Sequence, residues 1–444
     1  MTVSDEFVFF GVTGAPILHS RSPRLFAAAC EAVGIRGACV RLAAESSGEA
    51  LSVSRRAGLR GLSVTSPFKE AMAKAVDALD ETASRIGAVN AVTFADGRTV
   101  GHNTDAEGAA AALQRGGLRL EGSHVLVLGT GGAARAVVAG LAMHGAQVTL
   151  AGRDLDKASA IARGLGHGWV SLDSRELVRA SEACDALVGC LATAERVVPA
   201  GALRPSLTVL DAYYSEESAL AMDARERGCR VVDGLDWLAF QAGLSFRLFT
   251  GLEAPCHVLL SAVRTGGDRA PRNIALIGFM GSGKDAAAEA LSRTLGWPAI
   301  YADREIERKA GMRVSEIFRT LGEGAFRDME EEVLQSVLRA SGHVVSCGGG
   351  AVLRESSRKA LAASALVVWL WAGPEVIMNR LAADATRPLL ETPDREGRVL
   401  ELLSERSPVY AASADLLVST EGRTPEGVGE RIADEIRRSF GRIG

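Results

Sequence analysis

Residues 273–303 read NIALIGFMGSGKDAAAEALSRTLGWPAIYAD: an apolar run, a glycine-rich turn, then an alanine- and leucine-rich stretch. The spacing predicts a buried strand feeding a phosphate-cradling loop and a helix. The loop is Gly278-x-x-x-x-Gly283-Lys284, with Gly281 and Ser282 inside it. Glycines let backbone N–H groups turn inward on the β- and γ-phosphates of a nucleoside triphosphate, and Lys284 neutralises them. The next position normally carries a serine or threonine that ligates Mg²⁺. Here it is Asp285, either a stronger anionic metal ligand or a lesion.

This loop begins about three-fifths of the way along 444 residues, so something already complete precedes it. The length predicts about three folding units, each able to bury a core. With 47% apolar residues, 23% charged residues and a net charge of -4, the composition is that of a soluble globular protein without a basic stripe for nucleic acid. Small molecules are the expected partners. Cys30, Cys39, Cys184, Cys190, Cys229, Cys256 and Cys347 are scattered, odd in number and free of CxxC spacing, which fits reduced thiols and no structural metal. MTVSDEF is acidic and lacks a charged-then-apolar leader, and the apolar stretch 365–371 is too short to span a bilayer, so a cytoplasmic location is expected.

Apolar β-type runs alternate with helical stretches, the mark of parallel α/β units. Strands are predicted at 7–12, 124–128, 147–151, 274–278 and 343–347, and the polar, helix-breaking segment 265–272 is the predicted main linker. The strand at 124–128 runs into Gly129-Thr-Gly131-Gly132-Ala133-Ala134 and then a helical stretch. That is a GxGxxA dinucleotide turn in strand–turn–helix context, with the pyrophosphate expected on the helix N-terminus. About twenty residues on stand Arg153 and Asp154. Arg153 suits the 2′-phosphate of NADP, Asp154 the ribose hydroxyl of NAD, and the two together a solvated ion pair; NADP is the favoured reading.

Three polar constellations upstream are demanded by no core: His19-Ser20-Arg21-Ser22-Pro23, Ser63-Val64-Thr65-Ser66-Pro67-Phe68-Lys69, and Gly87-Ala88-Val89-Asn90 with Asn103-Thr104-Asp105. Together they resemble the shikimate dehydrogenase family, whose SxSP, NVTxPxK, GAVN and NTDxxG motifs run in the same order at similar spacing. The resemblance covers about 7–260 and ends in a returning segment at 233–243 that includes Gly234, placed beside the cofactor. It implies two lobes: a substrate lobe at 1–110 with returning helices near 238–264, and a Rossmann-type NADP lobe at 111–237. Ketone reduction develops negative charge on oxygen and needs a proton donor there. By the resemblance Lys69 is that donor, Asp105 orients it, and Ser20, Ser22, Thr65, Asn90, Tyr214 and Gln241 hold the substrate's carboxylate and hydroxyls. Taken singly, each serine reads as a helix cap and Lys69 as a solvated charge.

The sequence departs from the family at several places. Ser63 stands where the family has asparagine, Phe26-Ala27 replace HN after SxSP, and Tyr214-Ser-Glu216-Glu-Ser-Ala219 replaces YxPxxT. The reaction type is therefore better specified than the substrate, which is shikimate, quinate or an amino analogue.

From 273 to about 440 the chain resembles shikimate kinase, carried by the P-loop, Asp303, Arg327 to Glu330, Cys347-Gly348-Gly349-Gly350, Arg387-Pro388-Leu389-Leu390 and Arg406-Ser-Pro408-Val-Tyr410. The resemblance implies that Arg327 and Arg406 clamp the acceptor's carboxylate, that Gly348, Gly349 and Gly350 bring N–H groups close, that Arg387 closes over the phosphates, and that Asp303 accepts the reacting hydroxyl's proton. At i,i+3 spacing Arg327 and Glu330 can equally pair with each other. The expected whole is an α/β protein of two parts. The first reduces 3-dehydroshikimate to shikimate with NADPH; the second, a P-loop domain with a parallel sheet over 273–444, phosphorylates shikimate with ATP and Mg²⁺. The rival expectations are an inactive, regulatory kinase-like domain, or both activities on an aminoshikimate- or quinate-like substrate.

Overall fold

The computed structural model describes residues 6–164, 167–191, 193–214, 217–266, 270–382, 388–390 and 392–441. Its first strands are β1 (Val8–Gly14), β2 (Gly37–Ala43) and β3 (Gly61–Val64). Then come β4 (Ala78–Leu79), β5 (Ala91–Ala95), β6 (Arg98–His102), β7 (His124–Leu128), β8 (Gln147–Gly152), β9 (Gly168–Ser171), β10 (Ala186–Gly189), β11 (Thr208–Asp211) and β12 (Arg230–Asp233). The last are β13 (Ile274–Ile277), β14 (Ala299–Tyr301), β15 (Val344–Ser346), β16 (Leu366–Trp371) and β17 (Leu416–Ser419). The chain divides into two compact units: one of Met1–Pro23, Ile35–Ser66 and Gly267–Gly444, the other of Arg24–Gly34 and Pro67–Gly266.

In the first unit eight parallel strands run in the order β14-β15-β13-β16-β17-β2-β1-β3. Strands β13 and β16 are buried along their whole length. Their continuous apolar sequences are what a parallel sheet covered on both faces requires. The join between the last and first thirds of the chain is β17 against β2, with Leu416 opposite Arg41 and Val418 opposite Ala43. The Phe9 and Trp369 rings, 5.8 Å apart, pack across this region. Strand order reverses at β13 and again at β1, so the C-terminal ends of these strands open the crevices where α/β sheets bind ligands.

The second unit holds a six-stranded parallel sheet in the order β12-β11-β10-β7-β8-β9. Counted from β7 this is the 3-2-1-4-5-6 arrangement of dinucleotide-binding folds. Strands β5 and β6 pair antiparallel around Asp96-Gly97, both at positive φ, the conformation a tight hairpin turn demands. The helices Gly234–Thr250 and Cys256–Ala262 follow β12. No helix among the described residues is long and apolar enough to cross a membrane.

Candidate active sites

In the second unit β7 leads through Gly129 into the helix Gly132–Met143. Gly129 sits at φ 115°, and a Cβ there would come within 2.9 Å of the Cys190 carbonyl oxygen, so only glycine makes the turn. Gly131 at the N-cap offers no side chain to cap this helix, which leaves its first N–H groups for an anion. Gly131, Gly132, Ala133 and Ala134 form that first turn. Position 132 also faces Lys69: a Cβ there would lie 3.9 Å from Lys69 Cδ.

Lys69 opens the helix Lys69–Ala75, and its Nζ donates to Asp105 Oδ2 at 2.6 Å. Both side chains are largely buried. The helix Asp105–Arg115 crosses Gly132–Met143 at close range, since a Cβ on Gly140 would sit 2.3 Å from Ala106 O. That contact ties the carboxylate to the dinucleotide helix. Trp237 Nε1 donates to Asp105 O at 3.0 Å, and Asn103 Oδ1 accepts from the Asp105 amide at 3.1 Å. Buried Asn90 donates from Nδ2 to Thr104 Oγ1 at 2.9 Å and to Gln241 Oε1 at 3.2 Å. Thr104 in turn contacts Ser245 Oγ at 3.0 Å. The Lys69–Asp105 pair and the Asn90–Thr104–Gln241 set thus meet along the 103–105 backbone, and Gly234 starts the helix that carries Gln241.

Arg153 follows β8 and is exposed. Asp154 Oδ1 accepts from the Lys157 amide at 3.0 Å, which makes it the cap of the helix Leu155–Gly164. Tyr214 lies half-buried three residues beyond β11. Ser20, Ser22 and Thr65 belong to the first unit, at the C-terminal ends of β1 and β3. Ser20 and Ser22 are buried, with their hydroxyls 3.3 Å apart.

The first unit also carries the phosphate loop. Gly278 has φ 143° and Gly283 φ 89°, conformations that allow the loop to close on the N-terminus of Lys284–Leu295. Lys284 Nζ donates to the carbonyls of Gly278 and Phe279 at 2.9 and 3.0 Å, while Gly281 lies in the turn and Ser282 is fully buried. Asp285 is exposed in the first turn, and its Oδ1 accepts from Ser346 Oγ at 2.6 Å. Ser346 ends β15 and lies in register with Tyr301, the last residue of β14. Above Tyr301, the Arg304 guanidinium stands 4.1 Å from the ring centroid.

Beside the loop a cavity is lined by Met280, Asp303, Phe326, Arg327, Gly348 to Gly350 and Arg406. Arg327 Nη1 donates to Glu330 Oε2 at 2.6 Å, and Nη2 to Glu323 Oε1 at 2.9 Å. Pairing does not withdraw it from the cavity: the same guanidinium lies so close to Gly350 that a Cβ there would meet Arg327 Cζ at 2.3 Å. Gly348 packs as tightly on Glu330, Oε1 falling 2.2 Å from its would-be Cβ. Burial pushes the Glu330 carboxyl up despite the Arg327 guanidinium beside it. Arg406 Nη1 donates to Gly349 O at 3.4 Å, and the Tyr410 hydroxyl donates to the same carbonyl. Burial pushes the Tyr410 phenol up to about 12, so it stays a donor at any ordinary pH. Arg387 lies outside the described residues.

Among the described residues no group of three or more His, Cys, Asp or Glu side chains converges as a metal cage. Mg²⁺ in kinases is held by one or two carboxylates with phosphates and waters completing its shell, and exposed Asp285, with Ser346 beside it, suits that donor set. Ser346 is a contributor to this site that the motifs did not include; Glu330 and Tyr410 stood inside the motifs, Glu330 as a pairing partner of Arg327 and Tyr410 with no role assigned. The available signal for Ser346 was a lone polar residue ending an apolar strand just before the triple glycine.

Residues 12–92 match the shikimate dehydrogenase substrate binding domain, residues 110–211 the family described as shikimate / quinate 5-dehydrogenase, and residues 280–438 shikimate kinase. A shikimate kinase of Thermodesulfovibrio yellowstonii is 41% identical over 167 residues, spanning 38% of this chain and 96% of that protein. A shikimate dehydrogenase (NADP(+)) of Methanothrix thermoacetophila is 36% identical over 260 residues, spanning 57% of this chain and 96% of its own length. The crystal structure of shikimate 5-dehydrogenase from Thermus thermophilus in complex with NADP(H) and shikimate superposes with a TM-score of 0.54 at 33% identity, covering 58% of this chain and 98% of that one. The chain belongs to the shikimate dehydrogenase family through its N-terminal part and to the shikimate kinase family through its C-terminal part, a fusion of two enzymes in one polypeptide.

Proposed function

We propose that the protein catalyses two successive reactions: reduction of 3-dehydroshikimate to shikimate with NADPH, then phosphorylation of the new hydroxyl with Mg-ATP to give shikimate 3-phosphate. The observation that carries this reading is the joint retention of two machineries. One is the Lys69–Asp105 pair beside an uncapped dinucleotide helix. The other is an arginine-lined cavity beside a phosphate loop.

When bound, NADPH supplies the hydride and Mg-ATP the phosphoryl group. The Lys69 ammonium gives a proton to the carbonyl oxygen as hydride reaches the carbon, so charge never accumulates on oxygen. Asp105 holds the ammonium in place through the bond to its Oδ2 at 2.6 Å. Asn90 and Gln241 present amide groups to the substrate's hydroxyls; Ser20, Ser22, Thr65 and Tyr214 complete the set by family likeness. The exposed Arg153 supports NADP over NAD, since Asp154 is already engaged as a helix cap.

In the kinase half Asp303 takes the proton of the attacking hydroxyl, and Arg327 and Arg406 hold the acceptor's carboxylate against the glycine wall. Lys284, now bonded to the loop carbonyls, would hold the phosphates of bound ATP, and by family likeness Arg387 would bind them too. Asp285 and Ser346 would hold Mg²⁺. We place the dehydrogenase substrate lobe at 1–110, with its returning helices near 238–264, the NADP lobe at 111–237, the linker at 265–272 and the kinase at 273–444. The seven cysteines, none of them in a disulfide, support a reducing cytoplasm.

Purified protein given 3-dehydroshikimate and NADPH should oxidise NADPH and release shikimate. Adding Mg-ATP should convert that shikimate to its 3-phosphate with one ADP formed per turnover. NADPH oxidation without any ADP would leave the dehydrogenase reading standing and reject the kinase one.

A further inference from the structure

The loop that leaves β1 and carries Ser20 and Ser22 is held from the far end of the chain. The Ile17 amide donates to Glu435 Oε2 at 2.8 Å across 418 residues, and both groups are buried. Glu435 lies on Pro425–Phe440, the last helix, and its other oxygen accepts from Arg431 Nη2 at 2.8 Å. Arg431 Nη2 also donates to Ala44 O, just past β2, at 2.8 Å. The bonding continues through the loop: Ile17 O accepts from the Ser20 amide at 3.0 Å. Arg41, on β2, then donates to Ser20 O from Nε and Nη2 at 3.0 and 2.7 Å, and from Nη1 to Asp415 O beside β17. Finally, Ser20 Oγ accepts from the Ser22 amide at 3.4 Å.

A buried carboxylate is costly unless its hydrogen bonds have fixed geometry, so Glu435 sets the position of the Ile17 peptide rather than following it. We propose that Glu435 is a positioning residue for the reductase: the terminal helix of the kinase half holds the 15–22 loop so that the Ser20 and Ser22 hydroxyls meet the 3-dehydroshikimate carboxylate. This rests on the reading that those serines bind substrate. Glu435 does not line the kinase cavity, so its loss should register in reductase substrate binding alone.

The test uses the full-length protein and four variants: Ser22→Ala, Glu435→Ala, Glu435→Asp and Glu435→Gln. Each is assayed for reductase kcat, KM for 3-dehydroshikimate and KM for NADPH, and for kinase KM for shikimate. Displacement of a positioned group by about 1 Å is enough to cost an order of magnitude, so Glu435→Ala should raise KM for 3-dehydroshikimate about tenfold. Its kcat, its KM for NADPH and the kinase KM should stay close to wild type. Glu435→Asp, which keeps the charge beside Arg431 but withdraws it from Ile17, should raise the same KM severalfold and decides the matter if the alanine variant does not fold. Glu435→Gln, which still offers Ile17 an acceptor, should restore KM to near wild type. If Ser22→Ala raises KM while Glu435→Asp and Glu435→Ala do not, the positioning role is overturned and the substrate reading stands. If Ser22→Ala leaves KM unchanged, the substrate reading itself fails.

Discussion

Lys69 Nζ lies 2.6 Å from Asp105 Oδ2, and the Lys69 side chain faces Gly132 in the first turn of the dinucleotide helix, where an added Cβ would come within 3.9 Å of Lys69 Cδ. The proposed proton donor, orienting carboxylate and cofactor cradle are thus neighbours although they come from three helices. Lys69→Ala should lower reductase turnover by about 10²- to 10⁴-fold, the usual contribution of a positioned acid, while NADPH binding measured by fluorescence titration stays near wild type. Near-normal turnover in this variant would remove Lys69 from the mechanism.

Arg153 and Asp154, adjacent in sequence, separate in role. Asp154 caps the helix Leu155–Gly164, whereas Arg153 stands exposed at the end of β8. A guanidinium that meets the 2′-phosphate bidentately should make Arg153→Ala lose far more affinity for NADPH than for NADH. Asp154→Ala should lower the melting temperature slightly, for the loss of a cap worth about 1 kcal/mol, without changing the ratio of the two affinities. Equal losses for both cofactors in Arg153→Ala would point away from 2′-phosphate recognition.

What the sequence made legible were local devices. The apolar runs at 124–128 and 274–278 became β7 and β13 because a doubly covered parallel strand must be apolar throughout. The turns after them were legible because their glycines answer steric demands made by close neighbours in the chain. Lys69 and Asp105 were found as members of a motif set, and the structure brings them together. The pairing of β17 with β2, the Glu435 bond to Ile17 and the Ser346 bond to Asp285 were not legible. Backbone pairing of parallel strands leaves no side-chain signature, and a serine or glutamate on a helix or strand end has many equally good uses until the fold selects one.

Arg327 serves as ion-pair partner to Glu330 and as a wall of the acceptor cavity, and the two roles can be separated. Glu330→Ala strips the guanidinium of its buried partner, leaving it the exposed Glu323 among the described residues, and should cost about 3 kcal/mol in urea unfolding. Replacing both residues, Arg327→Met with Glu330→Leu, should recover much of that stability, because an apolar pair fills the space without buried charge. Kinase activity should not return in the double variant. Recovery of shikimate phosphorylation there would show that Arg327 is structural only.

The Ser346–Asp285 bond bears on whether the kinase half works at all. The position after the P-loop lysine normally bears a hydroxyl that ligates Mg²⁺, supported by an acid at the end of the next strand. With Tyr301-Ala302-Asp303 set against the family's DxD, those places hold Asp285 and Tyr301; in the proposed reading the loop carboxylate replaces the strand one and the site keeps its negative charge. A bare carboxylate beside ATP would repel the phosphates; with Mg²⁺ between them the sign of the interaction reverses. The Ser346 hydroxyl holds Oδ1 in place at 2.6 Å, which lowers the ordering needed when metal binds. Asp285→Ala should therefore shift the Mg²⁺ concentration for half-maximal ADP formation upward by about tenfold or more, the cost of about 1.4 kcal/mol or above in metal affinity. Asp285→Ser should restore part of it, and Ser346→Ala should produce a smaller shift in the same direction. The same order should appear in Mn²⁺ binding to the ADP complex, followed by electron paramagnetic resonance, where turnover plays no part. Wild-type protein inactive at every Mg²⁺ level, or an Asp285→Ala protein with unchanged metal dependence, would sink this role for Asp285.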